Sequence, residues 1–324
     1  MHLEIINNTK TKILKATSEE IKKLEILLTA KKFIPRSGGN SFTAHWSAIE
    51  NMKYFPTPLL GRLKGLDIKV KGLDKVFRKT DKLALKKKLE QIGTPFTPHD
   101  HQLDVLNMMF GSSFGLYNIS MNGGKSYINY LYAILRASQG LKTLIVVPRI
   151  SLAEQMFNDF HEYASKLNGD FKLSVFPHGV EVDLIYNKSQ RSPNANIIIG
   201  NSASLSNMVD ETPSFFKSIN YILLDECHTL IGNSTVKDSQ YMKVVKATPY
   251  KGIYGYSGTI YDKKSEPIKA LRSEAILGTC RYIVTAKELD EKGASATPIF
   301  TAHELTVSEE LTQEYSKKSK NFIK

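Results

Sequence analysis

One stretch constrains this chain more than any other. Phe114-Gly115-Leu116-Tyr117-Asn118-Ile119 is apolar enough for a buried strand; Ser120-Met121-Asn122-Gly123-Gly124 is a glycine loop; Lys125-Ser126 opens an apolar helical run. A strand, a tight loop and a helix start in that order aim backbone N–H groups and a helix N-terminus at phosphate oxygens. In such a loop Lys125 reaches the terminal phosphates and Ser126 places its hydroxyl on Mg²⁺. About a hundred residues later, Tyr221-Ile222-Leu223-Leu224 runs into Asp225-Glu226-Cys227-His228. A buried strand ending in two carboxylates supplies Asp225 to hold Mg²⁺ and Glu226 to orient an attacking water. The two half-sites together predict one triphosphate site, with Asn122, Gly123, Gly124, Lys125 and Ser126 cradling the nucleotide.

The surroundings fit an α/β sheet. From Phe96 onward strands alternate with helices, which predicts a parallel sheet covered on both faces. Strands are expected at Leu141–Val147, Leu173–Phe176, Ile197–Ile199 and Gly252–Tyr256, with a helix near Lys237–Lys246. Between the first two, a helix buries Leu152, Met156, Phe157 and Phe160. Arg149 ends a strand on the side where open α/β sheets bind ligands, so a phosphate contact is expected there. Gly200-Asn201-Ser202 follows a strand directly; its small groups suit either close approach to a nucleic-acid backbone or an ordinary turn and N-cap. Gln102 carries a donor and an acceptor that match adenine. The hydroxyls of Ser257-Gly258-Thr259, at the end of the next strand, are placed to sense a γ-phosphate. His99-x-His101 lacks the i,i+4 spacing of helical metal ligands and is rejected as a metal pair.

Charge divides the chain. Residues 1–98 hold 20 Lys and Arg against 9 Asp and Glu, whereas the rest is nearly balanced, within a net +12 over 324 residues. A concentrated positive excess is the footprint of a polyanion partner or a lysine-rich solvated surface. His2 to Ala16 alternates as strands do. Thr17 with Glu20 forms a capping box for a helix running to about Lys31. Strands and turns follow from Phe33 to Tyr54, with Gly38-Gly39-Asn40 as a turn; then come a short helix at Leu59–Lys64 and a strand at Leu66–Val70. Trp46, Tyr54 and Phe55 suit either base stacking or a small core. Asp67-Ile68-Lys69 with Glu50 has a nuclease-like form that an alternating strand explains equally well. A charged helix, Asp81–Ile92, leads to a Gly93-Thr94-Pro95 break. The expected organisation is a basic α+β domain (1–80), a helical linker (81–95), the sheet domain (96–285) and a crossover (286–324). The last includes an expected helix at Glu309–Phe322.

Two cysteines give no disulfide framework. No apolar run nears the roughly 18 residues of a membrane span, and the N-terminus has no secretory layout. A cytoplasmic protein without a membrane partner is expected.

In order, the motifs resemble those of superfamily 2 DExH-box DNA helicases, in the branch that includes restriction-enzyme motor subunits and the UvsW-type branch-migration helicases of phages. The residues carrying the resemblance are Gln102, Ser120 to Ser126 as motif I, Val147 to Met156 as motif Ia and Gly200-Asn201-Ser202 as a loose motif Ib. Asp225-Glu226-Cys227-His228 matches motif II and Ser257-Gly258-Thr259 motif III; Val284 to Leu289 matches the crossing toward a second motor domain. The likeness covers about residues 95–324, and more faintly Phe55 to Leu63. Two departures are Met121, where the family has Thr, and the absence of Gln-x-x-Gly-Arg-x-x-Arg with its arginine finger. The resemblance implies a RecA-like fold, ATP and Mg²⁺, and forked, branched or duplex DNA as partner. It also implies a second RecA-like domain, a monomer, and the cytoplasm of a phage-infected host. His228, Ser257 and Thr259 would couple nucleotide state to DNA, with Arg149, Gly200, Ser202 and the basic residues of 1–80 as DNA contacts. Three functions stay open: a helicase or branch-migration motor, a duplex translocase that does not unwind, and a nucleotide-gated DNA-binding module with a weakened ATP site.

Overall fold

Apolar runs without polar alternation need cover on both faces, and the central sheet has it. The computed structural model describes residues 1–34, 42–168, 182–185, 195–232, 238–291 and 293. The expected turn at Gly38-Gly39-Asn40, strand at Leu173–Phe176 and helix at Glu309–Phe322 lie outside the described residues.

The basic N-terminal part is α+β, as its patterning requires. Strands β1 (His2–Ile5), β2 (Thr11–Lys15), β5 (Tyr54–Phe55) and β6 (Lys69–Lys71) form a sheet in the order β5-β2-β1-β6. Beside it β3 (Thr29–Ile34) and β4 (Phe42–Ser47) pair antiparallel. Helix α1 (Ser18–Leu27) starts on the predicted capping box: Thr17 Oγ1 accepts the Glu20 N–H at 3.2 Å, and Glu20 Oε2 accepts the Thr17 N–H at 2.7 Å. Such a cap contributes about 1 kcal/mol. The helix stops at Leu27 rather than near Lys31, because Thr29 to Ile34 is taken up in the ladder with β4. A 3₁₀ helix at Thr57–Leu63 follows, and α2 (Lys82–Ile92) is capped by Asp81.

The second sheet is parallel throughout. Strands β7 (Phe114–Ile119), β8 (Thr143–Val147), β9 (Val182–Ile185), β10 (Ile197–Asn201), β11 (Tyr221–Leu224), β12 (Gly252–Ser257) and β13 (Cys280–Val284) lie in the order β13-β7-β12-β11-β8-β10-β9. Helices α3 (Asp100–Phe110), α4 (Lys125–Ala137) and α5 (Ile150–Asn168) bury Val105, Tyr130 and Phe160 on one face. On the other, α6 (Ser202–Glu211), α7 (Pro213–Lys217), α8 (Gln240–Ala247) and α9 (Pro267–Leu277) bury Leu205, Phe216, Tyr241 and Leu277. Strand β10 extends through Asn201, so Gly200 and Asn201 belong to the sheet rather than to a following turn. Strand β13 was not foreseen. It pairs with β7 as an edge strand, and α10 (Ala286–Glu291) then buries Leu289 beside the phosphate loop.

The N-terminal part is packed onto the sheet domain. Leu3, Leu24, Leu59 and Leu63 share a core with Leu271 of α9, where each fully buried leucine contributes roughly 1.5–3 kcal/mol. Arg62 Nε lies 2.5 Å from the buried Glu274 carboxylate of α9. Phe55 is core, whereas Trp46 and Tyr54 are half-buried. Among the described residues no helix is long and apolar enough to cross a membrane.

Candidate functional site

The strand order brings three loops together. At the C-terminal ends of β7, β12 and β11 stand the glycine loop, Ser257-Gly258-Thr259 and Asp225-Glu226, neighbours in space though far apart in sequence. The loop backbone has the special conformations it needs. Asn122 (φ 65°) and Gly124 (φ 71°) are left-handed, and a Cβ on Gly124 would fall 2.1 Å from Gln102 Nε2. Helix α4 begins at Lys125, so its first-turn N–H groups, which have no intrahelical acceptor, point into the site.

Lys125 Nζ donates to Glu226 Oε1 at 3.1 Å. Glu226 is itself left-handed (φ 46°), a strained conformation for a non-glycine residue of the kind stored at functional sites. Its other oxygen lies 3.1 Å from His228 Nδ1 and 3.2 Å from Ser257 Oγ, which are 2.9 Å apart. Lys125, Glu226, His228 and Ser257 are therefore one connected cluster. Thr259 joins through its backbone: its N–H donates to Ser257 Oγ and its carbonyl accepts from it. Its side chain is exposed.

Asp225 is the buried member. Its carbonyl accepts from the Tyr241 hydroxyl at 2.9 Å, but among the described residues its Oδ1 has no hydrogen-bond partner. Burial, the largest effect, pushes this carboxyl above its usual range, while the Lys125 ammonium pulls it down. A buried, unpartnered carboxylate oxygen beside a phosphate loop fits a divalent cation, so Asp225 and Ser126 would hold Mg²⁺. Bound there, the metal would neutralise charge on phosphate oxygens. Ser126 Oγ faces α5, 3.4 Å from the Tyr163 hydroxyl, and must turn to join Asp225. Asp225→Asn is expected to raise the metal-free melting temperature, by roughly 2–4 °C per kcal/mol recovered, and to abolish stabilisation by Mg²⁺ with nucleotide. Scanning calorimetry checks both.

Beside the loop lies a cleft of about 210 Å³ lined by Phe96, His99, Gln102, Tyr127 and Tyr163. Gln102 stands where expected, but its Oε1 accepts the His99 N–H at 2.9 Å, leaving Nε2 against Gly124. Sequence reasoning missed three supports. His101, buried, places Nε2 3.0 Å from the Gly123 carbonyl. Phe96 and Tyr163 pack edge to face at 6.1 Å. The Asn118 amide, oriented to donate, lies 2.9 and 3.0 Å from the carbonyls of Ser257 and Gly258. Apart from the one-residue step from Gln102 to His101, no spacing signal marked them.

Residues 107–267 match the DEAD/DEAH box helicase family. Residues 107–267 form a DEAD/DEAH box helicase domain. The chain is 23% identical over 275 residues to the ATP-dependent DNA helicase uvsW of Enterobacteria phage T4, covering 81% of this chain and 51% of that protein. The chain thus spans about half the length of this curated relative. Among solved structures, the UvsW helicase from Bacteriophage T4 superposes with a TM-score of 0.64 at 16% identity, covering 87% of this chain and 100% of that one. A second T4 UvsW structure gives 0.65 at 15%, covering 88% and 57%. These likenesses establish the fold: a RecA-like helicase sheet preceded by a small α+β part.

The helicase domain accommodates its departure in motif I. Met121 is 80% exposed, so its side chain leaves the phosphate cradle clear. The expected DNA contacts fare differently. Arg149 is exposed at the C-terminal end of β8, open to a phosphate. Ser202 is buried, with its hydroxyl donating to Gln240 Oε1 at 3.0 Å, and a Cβ on Gly200 would meet Leu205 at 3.0 Å. Both are internal, because β10 runs straight into α6.

Proposed function

We propose that this chain is the first motor half of an ATP-dependent DNA helicase that remodels forked or branched DNA. The observation carrying this reading is the Lys125–Glu226–His228–Ser257 cluster, which joins the phosphate loop, the acidic strand end and the motif III strand through contacts of 2.9–3.2 Å. In this reading Lys125 leaves Glu226 for the triphosphate when nucleotide enters. Glu226, freed, orients the attacking water. His228 and Ser257 pass that change to the β12 edge. Phosphoryl transfer depends on such positioning and electrostatics. The basic excess of residues 1–98 and the exposed Arg149 supply the DNA-facing side.

Full-rate hydrolysis would need a second RecA-like surface over the open edge, where Met121 and Thr259 face solvent. The 324 residues alone are expected to bind DNA with an affinity that falls steeply with salt, while hydrolysing ATP slowly. Anisotropy with forked and linear duplex at two salt concentrations, beside a phosphate-release assay, tests this. Salt-insensitive binding, or rapid DNA-stimulated hydrolysis by this chain, would contradict it. Triplex displacement without strand separation by the full-length protein would move the reading to a translocase.

A further inference from the structure

Among the described residues Arg281 is a cation without an anion. It sits on β13 with its guanidinium carbon 5.4 Å from the Phe77 ring centre and 5.2 Å from that of Phe114. Arg62 has Glu274 and Arg136 has Tyr132 and Gln139; among the described residues the Arg281 guanidinium has no ion pair and no hydrogen bond. Burial disfavours its charge. Holding a part-buried cation without a partner is costly, and the aromatic rings offset only a part of that cost.

A cleft of about 520 Å³ opens onto this guanidinium, within the roughly 300–1,000 Å³ of small-ligand sites. One wall comes from the N-terminal part (Leu60, Ile68, Leu73) and the other from the sheet (Phe114), with Phe77 between them and Lys64 contributing a second cation. Its chemistry has two sides. A guanidinium fork and an ammonium suit a phosphate, and an apolar wall with an aromatic ring suits a base. The flanking N-terminal residues carry most of the chain's positive excess, which favours a polymer strand over a free nucleotide. The cleft is separate from the nucleotide site. Cys280 begins β13 opposite Leu116, whereas Val284 ends it by accepting the Ser120 N–H at 3.0 Å, beside the phosphate loop.

We propose that this cleft takes one unpaired nucleotide of a DNA strand, its phosphate on Arg281 and Lys64 and its base against Phe77 and the apolar wall. The proposal rests on the DNA reading above, and its test separates the two. The 324-residue chain is titrated with a fluorescent twelve-nucleotide single strand and with duplex, at two salt concentrations. The variants are Arg281→Gln, Lys64→Glu and Leu73→Trp. Leu73 is 45% exposed, so the last fills the cleft with little risk to folding; melting temperatures check each variant. All three are expected to weaken single-strand binding about tenfold or more, with the salt slope of Arg281→Gln reduced by about 0.7 for one lost phosphate. Binding of a fluorescent ATP analogue by Leu73→Trp should stay at the wild-type value. Folded Lys64→Glu and Leu73→Trp chains that bind the strand within twofold of wild type would overturn the cleft while leaving the DNA reading standing. A wild-type chain that binds no DNA would overturn both. Full competition by free dTMP at micromolar concentration would replace the strand with a free nucleotide and overturn the proposal as stated.

Discussion

Lys125→Ala, in a chain carrying the second motor half proposed above, is expected to lower ATP turnover about a thousandfold, corresponding to roughly 4 kcal/mol of lost stabilisation. The residue stands at the first position of α4, where helix dipole, loop N–H groups and ammonium would act on the same phosphates. It is also the partner of Glu226, at 3.1 Å. Removing it costs twice: the nucleotide loses its cation, and Glu226 loses the group that holds it in a strained backbone position. Nucleotide affinity should fall along with turnover. A steady-state phosphate-release assay with fluorescent-nucleotide titration measures both, and more than a tenth of the wild-type rate would sink the assignment.

Glu226→Gln is expected to reduce turnover at least as much, about a thousandfold or more, but with the opposite effect on binding. Glutamine keeps the shape and removes the charge proposed to orient water. It also removes the ion pair with Lys125. Nucleotide affinity should therefore be kept or improved, whereas in Lys125→Ala it is lost. A single-turnover experiment showing tight binding with no cleavage is the expected result. Equal loss of affinity in both variants would mean that the ion pair is structural rather than a placeholder for phosphate.

Much of this protein was legible before folding was considered. The capping box at Thr17 and Glu20, the charged helix running to Ile92, the buried runs of β8, β10 and β11, and the loop–helix junction at Lys125 are local patterns, and local physics decides them. What went unread was non-local. Helix α1 stops short because β4, some fifteen residues further on, claims Thr29 to Ile34. Strand β13 reads as a loose tail until β7 offers it an edge. His101, Asn118 and Phe96 have no motif, since their roles lie in contacts with Gly123, the Ser257-Gly258 carbonyls and Tyr163.

The amino-acid sequence by itself determined which residues are the candidates for the chemistry: a lysine on a glycine loop, two acids at a strand end, and a hydroxyl pair further on. Only the tertiary structure decided that they meet. Strand β12 lies between β7 and β11, and this order sets Ser257 within hydrogen-bonding reach of both Glu226 and His228. Strand order is chosen by which buried faces can be covered by helices from both sides at once. That is a property of the whole sheet, and no single segment encodes it.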